Sequence, residues 1–253
     1  MKLISLNIWG GRQLKQLTDY VSEKANDTDI FCFQEVFDTP TDKTIIQEHY
    51  RADILKQLKK VLPNHTAYFA SVQDKMEFGN TVNYSIDWGV AMFIKNTINA
   101  KVNDIMIYRE RNSIESHGST IPRNLQYAHL KINNQPYVIA HFHGLWNGKG
   151  KTDTENRINQ SNKVKEFLNK EEGKIILCGD FNYLPDTKSL AILEENMINL
   201  IKAHNITSTR SVLYTKPDKY ADYAIVSKDV NVLNFNVPNI NASDHLPLEL
   251  DFN

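Results

Sequence analysis

Residues 174–182 have the sequence Lys-Ile-Ile-Leu-Cys-Gly-Asp-Phe-Asn, an apolar run that ends in polar residues. An apolar run of this length without polar alternation is typical of a strand that is buried on both faces. Burying Asp180 and Asn182 would be costly unless both side chains are paired or used. Sites in α/β sheets are usually assembled at strand ends. We therefore expect a central strand over residues 175–178 with a functional site at its end.

Polar residues follow other predicted strands in the same way. They are Asn7, Glu35, Ser243, Asp244 and His245, with His141 and His143 as a weaker pair on one face of a strand. Carboxylate and amide oxygens without cysteine suit a hard cation such as Mg²⁺ better than zinc. An Asp–His pair beside a further Asp can form an oriented general base for water. His143 with an Asn and an Arg could hold a phosphate oxygen.

The rest of the chain mixes strands with helices. Strands are expected over residues 2–8, 29–34, 68–72, 90–94, 105–109, 125–132, 137–142, 220–227, 230–237 and 246–252. Helices are expected over residues 13–24, 42–61 and 152–170, with two shorter pieces within 188–203. The four strands between residues 90 and 142 are expected to form one meander, with a hairpin turn at Asn133-Asn134. No linker or repeat divides the chain, so residues 1–253 are expected to form a single layered α/β domain.

The net charge of the chain produces no strong overall electrostatic field. The formal net charge is -1, so a general attraction to nucleic acid or an anionic membrane is not expected, and phosphate recognition must be local. Cys32 and Cys178 lie in apolar runs and are expected to be buried free thiols. No apolar run could span a bilayer and no signal segment is recognisable. We expect a cytoplasmic monomer without a stable membrane anchor, although a processed exported enzyme would look the same.

Six stretches, taken in order, resemble the motifs of the endonuclease/exonuclease/phosphatase superfamily, the DNase I-like hydrolases. They are Ser5-Leu-Asn-Ile-Trp, Phe33-Gln-Glu-Val, His141-Phe-His-Gly, Gly179-Asp-Phe-Asn, Ala221-Asp-Tyr-Ala-Ile-Val and Ser243-Asp-His-Leu-Pro-Leu. Gly-Asp-Phe-Asn and Ser-Asp-His are the most specific, and the resemblance runs from Leu3 to Leu250. It implies an α/β (α+β) fold: a four-layer α/β/β/α sandwich of two packed mixed sheets flanked by helices.

The resemblance also implies how the metal and the base are arranged. Glu35 would be the main metal ligand, with Asn7 at the same site and Asp244 near the metal. His245 would act as the general base, and Asp222 would orient it. The implied cofactor is Mg²⁺, with Mn²⁺ as the alternative ion.

The remaining motif residues would contact the phosphate. Asp180 and Asn182 match the pair that positions the nucleophile, and His143 matches the histidine that binds or polarises the phosphate. Arg123 resembles a family arginine on the phosphate, although this match is looser. His141 departs from the family pattern, which has Asn two positions before the phosphate-binding histidine, so His141 is an alternative to His143. Asp87 is a candidate for the carboxylate that often supports this histidine.

Two further candidates come from the segment after His143. Residues 144–152 lie between a strand and a helix, as a P-loop does, but a glycine would be required at Leu145, so we reject that motif. Lys151 is a candidate phosphate contact, with an ordinary solvated lysine as the alternative. Arg157 and Gln160 share one helix face that could point at the site, with a surface salt bridge as the alternative for Arg157.

The implied function is the hydrolysis of a phosphate-ester substrate by attack of water on phosphorus. We expect a phosphodiesterase with nuclease-like activity, and nucleic acid is one candidate substrate. The enzymatic alternatives are a phosphomonoesterase and a sphingomyelinase-like phospholipid hydrolase. An alternative from another class is a catalytically silent binding module, but the full set of base, metal and phosphate residues argues against it.

Overall fold

The structure is a computed structural model that describes residues 1–40, 46–47, 50–77, 80–113, 121–148 and 150–253. The strands are β1 (Lys2–Asn7), β2 (Ile30–Asp38), β3 (Ile46–Gln47), β4 (Tyr50–Arg51), β5 (His65–Asp74), β6 (Met76–Glu77), β7 (Asn80–Thr81), β8 (Asp87–Lys95), β9 (Ala100–Tyr108), β10 (Arg123–Ile132), β11 (Gln135–His143), β12 (Lys174–Asp180), β13 (Met197–Asn199), β14 (Asp222–Ser227), β15 (Val232–Asn236) and β16 (Leu248–Phe252). The helices are α1 (Leu14–Lys24), α2 (Ile54–Val61), α3 (Glu155–Leu168), α4 (Lys188–Glu194) and α5 (Leu200–Ala203).

Two mixed sheets form the centre of the fold. The first has the strand order β15-β16-β1-β2-β8-β5, and the second has the order β13-β14-β12-β11-β10-β9. Each sheet contains one parallel pair, β1 with β2 and β11 with β12, among antiparallel neighbours. Both parallel pairs lie in the middle of their sheets, so the carboxyl ends of four inner strands meet at one edge of the molecule.

Strand alternation divides the apolar residues between two cores. In β1, Leu3 joins the core shared by the two sheets, while its neighbour Ile4 joins a second core with Leu17 of α1 and Leu55 of α2. The second sheet packs against α3 and α4 on its other side, for example through Val164. The layers are therefore α/β/β/α, which confirms the expected sandwich.

The helix expected over residues 42–61 is wrong in its first part. The helix is α2, which begins at Ile54, and β3 pairs with β4 in a short antiparallel ladder before it. Tyr50 explains the difference, because its ring stacks on Phe37 at 4.2 Å and so holds β4 against the end of β2. Tertiary packing here overrides a local helical pattern. Residues 42–45 and 48–49 lie outside the described residues.

The four-strand meander is also wrong, because β8 belongs to the first sheet, between β2 and β5. Only β9, β10 and β11 form a meander, in the second sheet. Alternation identifies a strand but does not indicate which sheet it joins.

Other local expectations are confirmed. Asn133 and Asn134 join β10 to β11 with φ values of 52° and 65°, as a two-residue type I′ hairpin requires. The side chain of Thr154 caps α3 by accepting a hydrogen bond from Arg157 N. Cys32 and Cys178 are buried free thiols. Among the described residues, no helix has both the length and the apolar character needed to cross a membrane.

Candidate active site

Backbone pairing sets three of the candidate residues side by side. In the parallel pair of β11 and β12, His143 lies opposite Asp180. In the antiparallel pair of β12 and β14, Asp180 lies opposite Asp222. One histidine and two aspartates therefore form a row across three neighbouring strands, with Asp180 in the middle.

A β-bulge directs Glu35 from the first sheet toward this row. The pairing of β2 with β8 shifts register between Phe33 and Val36, and Glu35 has a φ of 59°. A positive φ is unfavourable for most residues with a Cβ, and outside turns it is a reason to look for a functional role. Asn182, which follows β12, has a φ of 57°. Both residues expected to act on metal or phosphate thus occupy unusual backbone conformations that redirect their side chains.

The segments that carry His143 and Asp180 approach very closely, and a glycine permits it. A Cβ on Gly144 would lie 1.9 Å from the carbonyl oxygen of Phe181. Gly144 N donates to Asp180 O at 2.6 Å, and Asn182 Nδ2 donates to Gly144 O at 3.3 Å. The glycine in His-Phe-His-Gly is therefore required by the spacing of the two loops.

Asn7 joins the acidic residues of the two sheets. Its Nδ2 donates to Glu35 Oε1 at 3.0 Å and to Asp180 Oδ2 at 2.9 Å, and its Oδ1 accepts from Trp9 N at 2.9 Å. His143 Nε2 lies 3.5 Å from Asp180 Oδ2 and 3.9 Å from Glu35 Oε1. The ligand atoms of Glu35, His143 and Asp180 all lie within 4.8 Å of one another, which is close enough for one cation.

The electrostatics of this cluster fit a divalent cation. Burial raises the pKa of Glu35 to about 7, and the neighbouring Asp244 and Asp180 raise it as well, against the hydrogen bond from Asn7. Burial lowers the pKa of His143 well below its usual value, so its ring is neutral and can offer a lone pair. A cation would relieve the repulsion between the carboxylates, and carboxylates with one imidazole suit Mg²⁺ or Mn²⁺.

His245 has the geometry of an oriented base. Its Nδ1 donates to both carboxylate oxygens of Asp222 at 2.8 Å, which leaves Nε2 as the unprotonated nitrogen. Nε2 lies 3.6 Å from Asp180 Oδ2, so the base adjoins the acidic cluster directly. Burial lowers the pKa of His245 to about 4, and the guanidinium of Arg210 lowers it further, so the ring is neutral near pH 7.

Glu35, His143, Asp180 and His245 line one cleft of about 340 Å³. Its walls include all three tryptophans of the chain, together with five cationic residues. Each cation lies over an aromatic ring: Arg12 on Trp9 (4.4 Å), Arg123 on Trp88 (4.9 Å), Lys151 and Arg210 on Tyr214 (5.1 and 4.1 Å) and Lys216 on Trp146 (5.1 Å). The cleft therefore combines fixed positive charge with flat apolar surfaces.

Twelve residues were expected from the sequence to bind metal or phosphate or to act in catalysis, and eight of them line this cleft: Glu35, Arg123, His143, Lys151, Asp180, Asn182, Asp244 and His245. Asn7 and Asp222 lie behind them and are hydrogen-bonded to Glu35 and His245. Two of the eight have surroundings that differ from the expectation. Asp244 lies outside the metal-sized cluster and instead accepts from Arg210 Nη1 at 3.2 Å. Lys151 is buried, and its Nζ donates to Tyr220 O at 2.9 Å.

His141 does not reach the cleft, which corrects its place as an alternative to His143. Gln34 Nε2 donates to His141 Nδ1 at 3.1 Å, and His141 Nε2 donates to Gln126 Oε1 at 2.8 Å. The ring is fully buried between the sheets, and burial lowers its pKa to about 3. Both ring nitrogens are used, so none remains for a phosphate.

Arg157 does not face the cleft either, nor does it form a surface salt bridge. It is fully buried, and its guanidinium donates to the carbonyl oxygens of Leu145, Gly150 and Thr152. These three bonds fold the loop between β11 and α3. Arg157 therefore shapes the loop that carries Lys151.

His143 Nδ1 has no hydrogen-bond partner among the described residues, so Asp87 does not support this ring.

Sequence reasoning missed Arg210, Tyr214 and Trp88, which line the cleft. Arg210 contacts His245 across 35 residues of chain, through a loop that carries no recognisable motif. Trp9 and Trp146 also line the cleft. An arginine between small polar residues, Ser-Thr-Arg-Ser, offers no spacing signal that would have identified it.

The family assignment agrees with this geometry. The model of the Endonuclease/Exonuclease/phosphatase family matches residues 4–245. The chain belongs to this family. It is a family of phosphoesterases, and the six motifs lie within the matched range or extend just beyond it. No curated protein matches the sequence.

Solved structures of the family share the fold. A mannosyl-6-phosphatase of Bacteroides thetaiotaomicron has a TM-score of 0.69 at 17% identity, with 100% of this chain and 99% of that chain covered. A family protein of Leptotrichia buccalis has a TM-score of 0.69 at 15% identity, with 100% and 99% covered. TDP2 of D. rerio, complexed with a single-strand DNA product, has a TM-score of 0.65 at 15% identity, with 100% and 98% covered. At these identities the similarity concerns the fold.

Proposed function

We propose that this protein is a divalent-metal-dependent hydrolase of phosphate esters in which His245 activates the attacking water. One observation carries the proposal. Asp180 Oδ2 lies 3.5 Å from His143 Nε2, 3.6 Å from His245 Nε2 and 2.9 Å from the amide of Asn7 that also holds Glu35. These distances support a cation site and a base that share one carboxylate, with residues from both sheets.

The base acts through its Nε2 atom. A water in the cleft beside Asp180 can pass a proton to Nε2 as its oxygen attacks phosphorus, and the bond from phosphorus to the leaving oxygen breaks, with the electron pair staying on that oxygen. The imidazolium that forms is stabilised by Asp222, which accepts from Nδ1 with both oxygens. Asp180 is held in place because its Oδ1 accepts from Asn182 N at 2.9 Å. Asp222 therefore orients the base, and Asp180 can orient the water.

Glu35 and Asp180 would hold the cation, and the neutral ring of His143 can serve as a third ligand. When bound, a divalent cation would neutralise charge on the phosphate and on the leaving oxygen. Asn7 has a positioning role, because its amide holds the two carboxylates together. Asp244 is bonded to Arg210 and adds negative charge at the edge of the site.

Arg123 is the best candidate for a fixed phosphate contact. It is buried, and its Nε and Nη1 have no hydrogen-bond partner among the described residues. Burial lowers the pKa of Arg123 to about 10, so the group remains charged near neutral pH. Buried guanidinium donors without partners are costly, and a phosphate oxygen would satisfy them.

The expected substrate is a phosphodiester, with single-stranded nucleic acid as the first class to test. Three tryptophans and five cations line the cleft, and this combination suits a strand whose bases stack while its phosphates pair with cations. A phosphomonoester is the second candidate. Arg123, Lys151 and Arg210 are buried cations around the site, and together they could meet a dianionic phosphoryl group.

A substrate panel tests the proposal. The purified protein would be assayed on bis-p-nitrophenyl phosphate, p-nitrophenyl phosphate, a single-stranded DNA oligonucleotide, RNA and sphingomyelin, with Mg²⁺, Mn²⁺ or EDTA. We expect hydrolysis that requires metal and that His245→Ala lowers by a thousandfold or more. Activity that is unaffected by EDTA would contradict the metal dependence. No activity on any of these esters with either metal would contradict the proposal and favour a silent binding module.

A further inference from the structure

Arg210 lies beside the proposed base, and its backbone is fixed there. Arg210 and His245 form an isolated antiparallel β-bridge. On either side of the bridge, Ser211 N donates to Asp244 O at 3.1 Å and Leu246 N donates to Thr209 O at 2.9 Å. The side chain therefore starts from a fixed point, and only its own torsions decide what the guanidinium contacts.

The guanidinium of Arg210 is hydrogen-bonded to His245 Nε2, the atom that acts as the base in the proposed mechanism. Its Nη1 donates to His245 Nε2, and also to Asp244 Oδ2 at 3.2 Å. Nε2 has one lone pair, so it cannot take a proton from water while it accepts this bond. While this hydrogen bond is made, Nε2 cannot act as the base, so hydrolysis requires the guanidinium to move.

Part of the hydrogen-bonding capacity of Arg210 is unused. Its side chain is 7% exposed, and its buried Nε has no partner among the residues that the structure describes. Arginine offers its donors as a planar fork that matches phosphate oxygens. The guanidinium lies 4.1 Å from the centre of the Tyr214 ring, a flat surface along which it can shift without losing its packing. A group with these properties in an anion-binding cleft is suited to follow an incoming phosphate.

We propose that Arg210 binds the substrate phosphate and, in doing so, releases His245 for catalysis. The entering phosphoryl group takes over the donors of the guanidinium, and Nε2 becomes free to accept the proton of the attacking water. This inference rests on the proposed function, and it adds a coupling: the base becomes available only when the cleft holds an anion. The alternative is that Arg210 is a permanent partner of Asp244 with a purely structural role.

Phosphate binding separates the two roles. Inorganic phosphate would be titrated by calorimetry into the Mg²⁺-loaded wild type, Arg210→Ala, Arg210→Lys and Lys219→Ala. Lys219 is a matched control because it is an exposed cation on the same loop and does not line the cleft. We expect Arg210→Ala to weaken phosphate binding by roughly 10- to 100-fold, the range for a charge-assisted hydrogen bond, and Lys219→Ala to leave it unchanged. Arg210→Lys should fall between them, since lysine keeps the charge but loses the fork.

Kinetics with bis-p-nitrophenyl phosphate add a second readout. Arg210→Ala should raise KM and lower kcat/KM, and added guanidinium chloride should restore part of the loss in this variant but not change the Lys219→Ala variant. Wild-type phosphate affinity in Arg210→Ala would overturn the proposal, and so would faster turnover, which would make Arg210 only a block on the base. If Arg210→Ala fails to fold, the phosphate affinity and the kinetics of Arg210→Lys test the proposal in its place. If the wild type hydrolyses no ester, the proposed function fails, and the phosphate titration still tests Arg210 separately.

Discussion

Replacement of Asp222 by Asn isolates the contribution of one buried charge to the base. Both carboxylate oxygens lie 2.8 Å from His245 Nδ1, and both side chains are almost fully buried. When His245 takes a proton, the imidazolium and the carboxylate form an ion pair. With charge centres about 4 Å apart and an effective dielectric constant of about 20, the attraction is about 4 kcal/mol. Losing it should lower kcat by about a thousandfold.

The Asp222→Asn substitution should lower turnover without lowering stability. Burial raises the pKa of Asp222 to about 7, so its charged form is disfavoured in the fold, and the neutral amide removes that desolvation penalty. Asp222→Asn should therefore unfold in urea at a concentration similar to or higher than the wild type. Asp186→Asn, at an exposed position, is the matched control and should change neither property. If kcat of Asp222→Asn stays within tenfold of wild type while metal binding is intact, our account of the base is wrong.

Three other outcomes are expected. In the metal-free protein, Glu35 binds its proton up to about pH 7 when folded and only to about 4.5 when unfolded, so its contribution to the free energy of unfolding falls as pH rises through that window. Denaturation curves should show that the wild type loses on the order of 1–3 kcal/mol relative to Glu35→Gln between these pH values. Saturating Mg²⁺ should abolish this loss in the wild type, because the ion takes the place of the proton. His141→Leu should lower the free energy of unfolding by about 2–4 kcal/mol, because Gln34 and Gln126 lose their buried partner. KM should stay at the wild-type value. A raised KM with unchanged stability would show instead that His141 belongs to the substrate site. Arg157→Met should lower the free energy of unfolding, measured in urea, by about 2–4 kcal/mol, because three loop carbonyls lose a buried donor. An unchanged urea midpoint would show that these hydrogen bonds contribute little to stability.

The parts of this protein that could be predicted from its sequence are those that depend on local pattern. Buried apolar runs such as residues 175–178 identified strands. Polar residues next to such runs, among them Asp180 and His245, were identified as candidate site residues. Once their order resembled a family, the sandwich and most of the site followed. The choice of sheet for β8 could not be predicted, because alternation carries no information about partners.

The roles of individual polar residues depended on contacts that the sequence does not contain. His141 and His143 are two residues apart and have the same chemistry, yet one is bonded between two glutamines and the other faces Asp180. The sequence likewise singled out Arg157 by its helix face and gave no signal for Arg210. Which arginine reaches the base is decided by a β-bridge between residues 35 positions apart. Long-range pairing of this kind has no local signature.

The most direct measurement is a Mn²⁺ titration, followed by calorimetry, of wild type, Glu35→Gln and His245→Ala, with phosphodiester turnover recorded on the same samples. If Glu35 holds the cation while His245 only removes a proton, Glu35→Gln should lose both ion binding and turnover. His245→Ala should bind Mn²⁺ nearly as tightly as the wild type and yet lose turnover by a thousandfold or more. Wild-type Mn²⁺ affinity in Glu35→Gln, or near-wild-type turnover in His245→Ala, would contradict this division of labour.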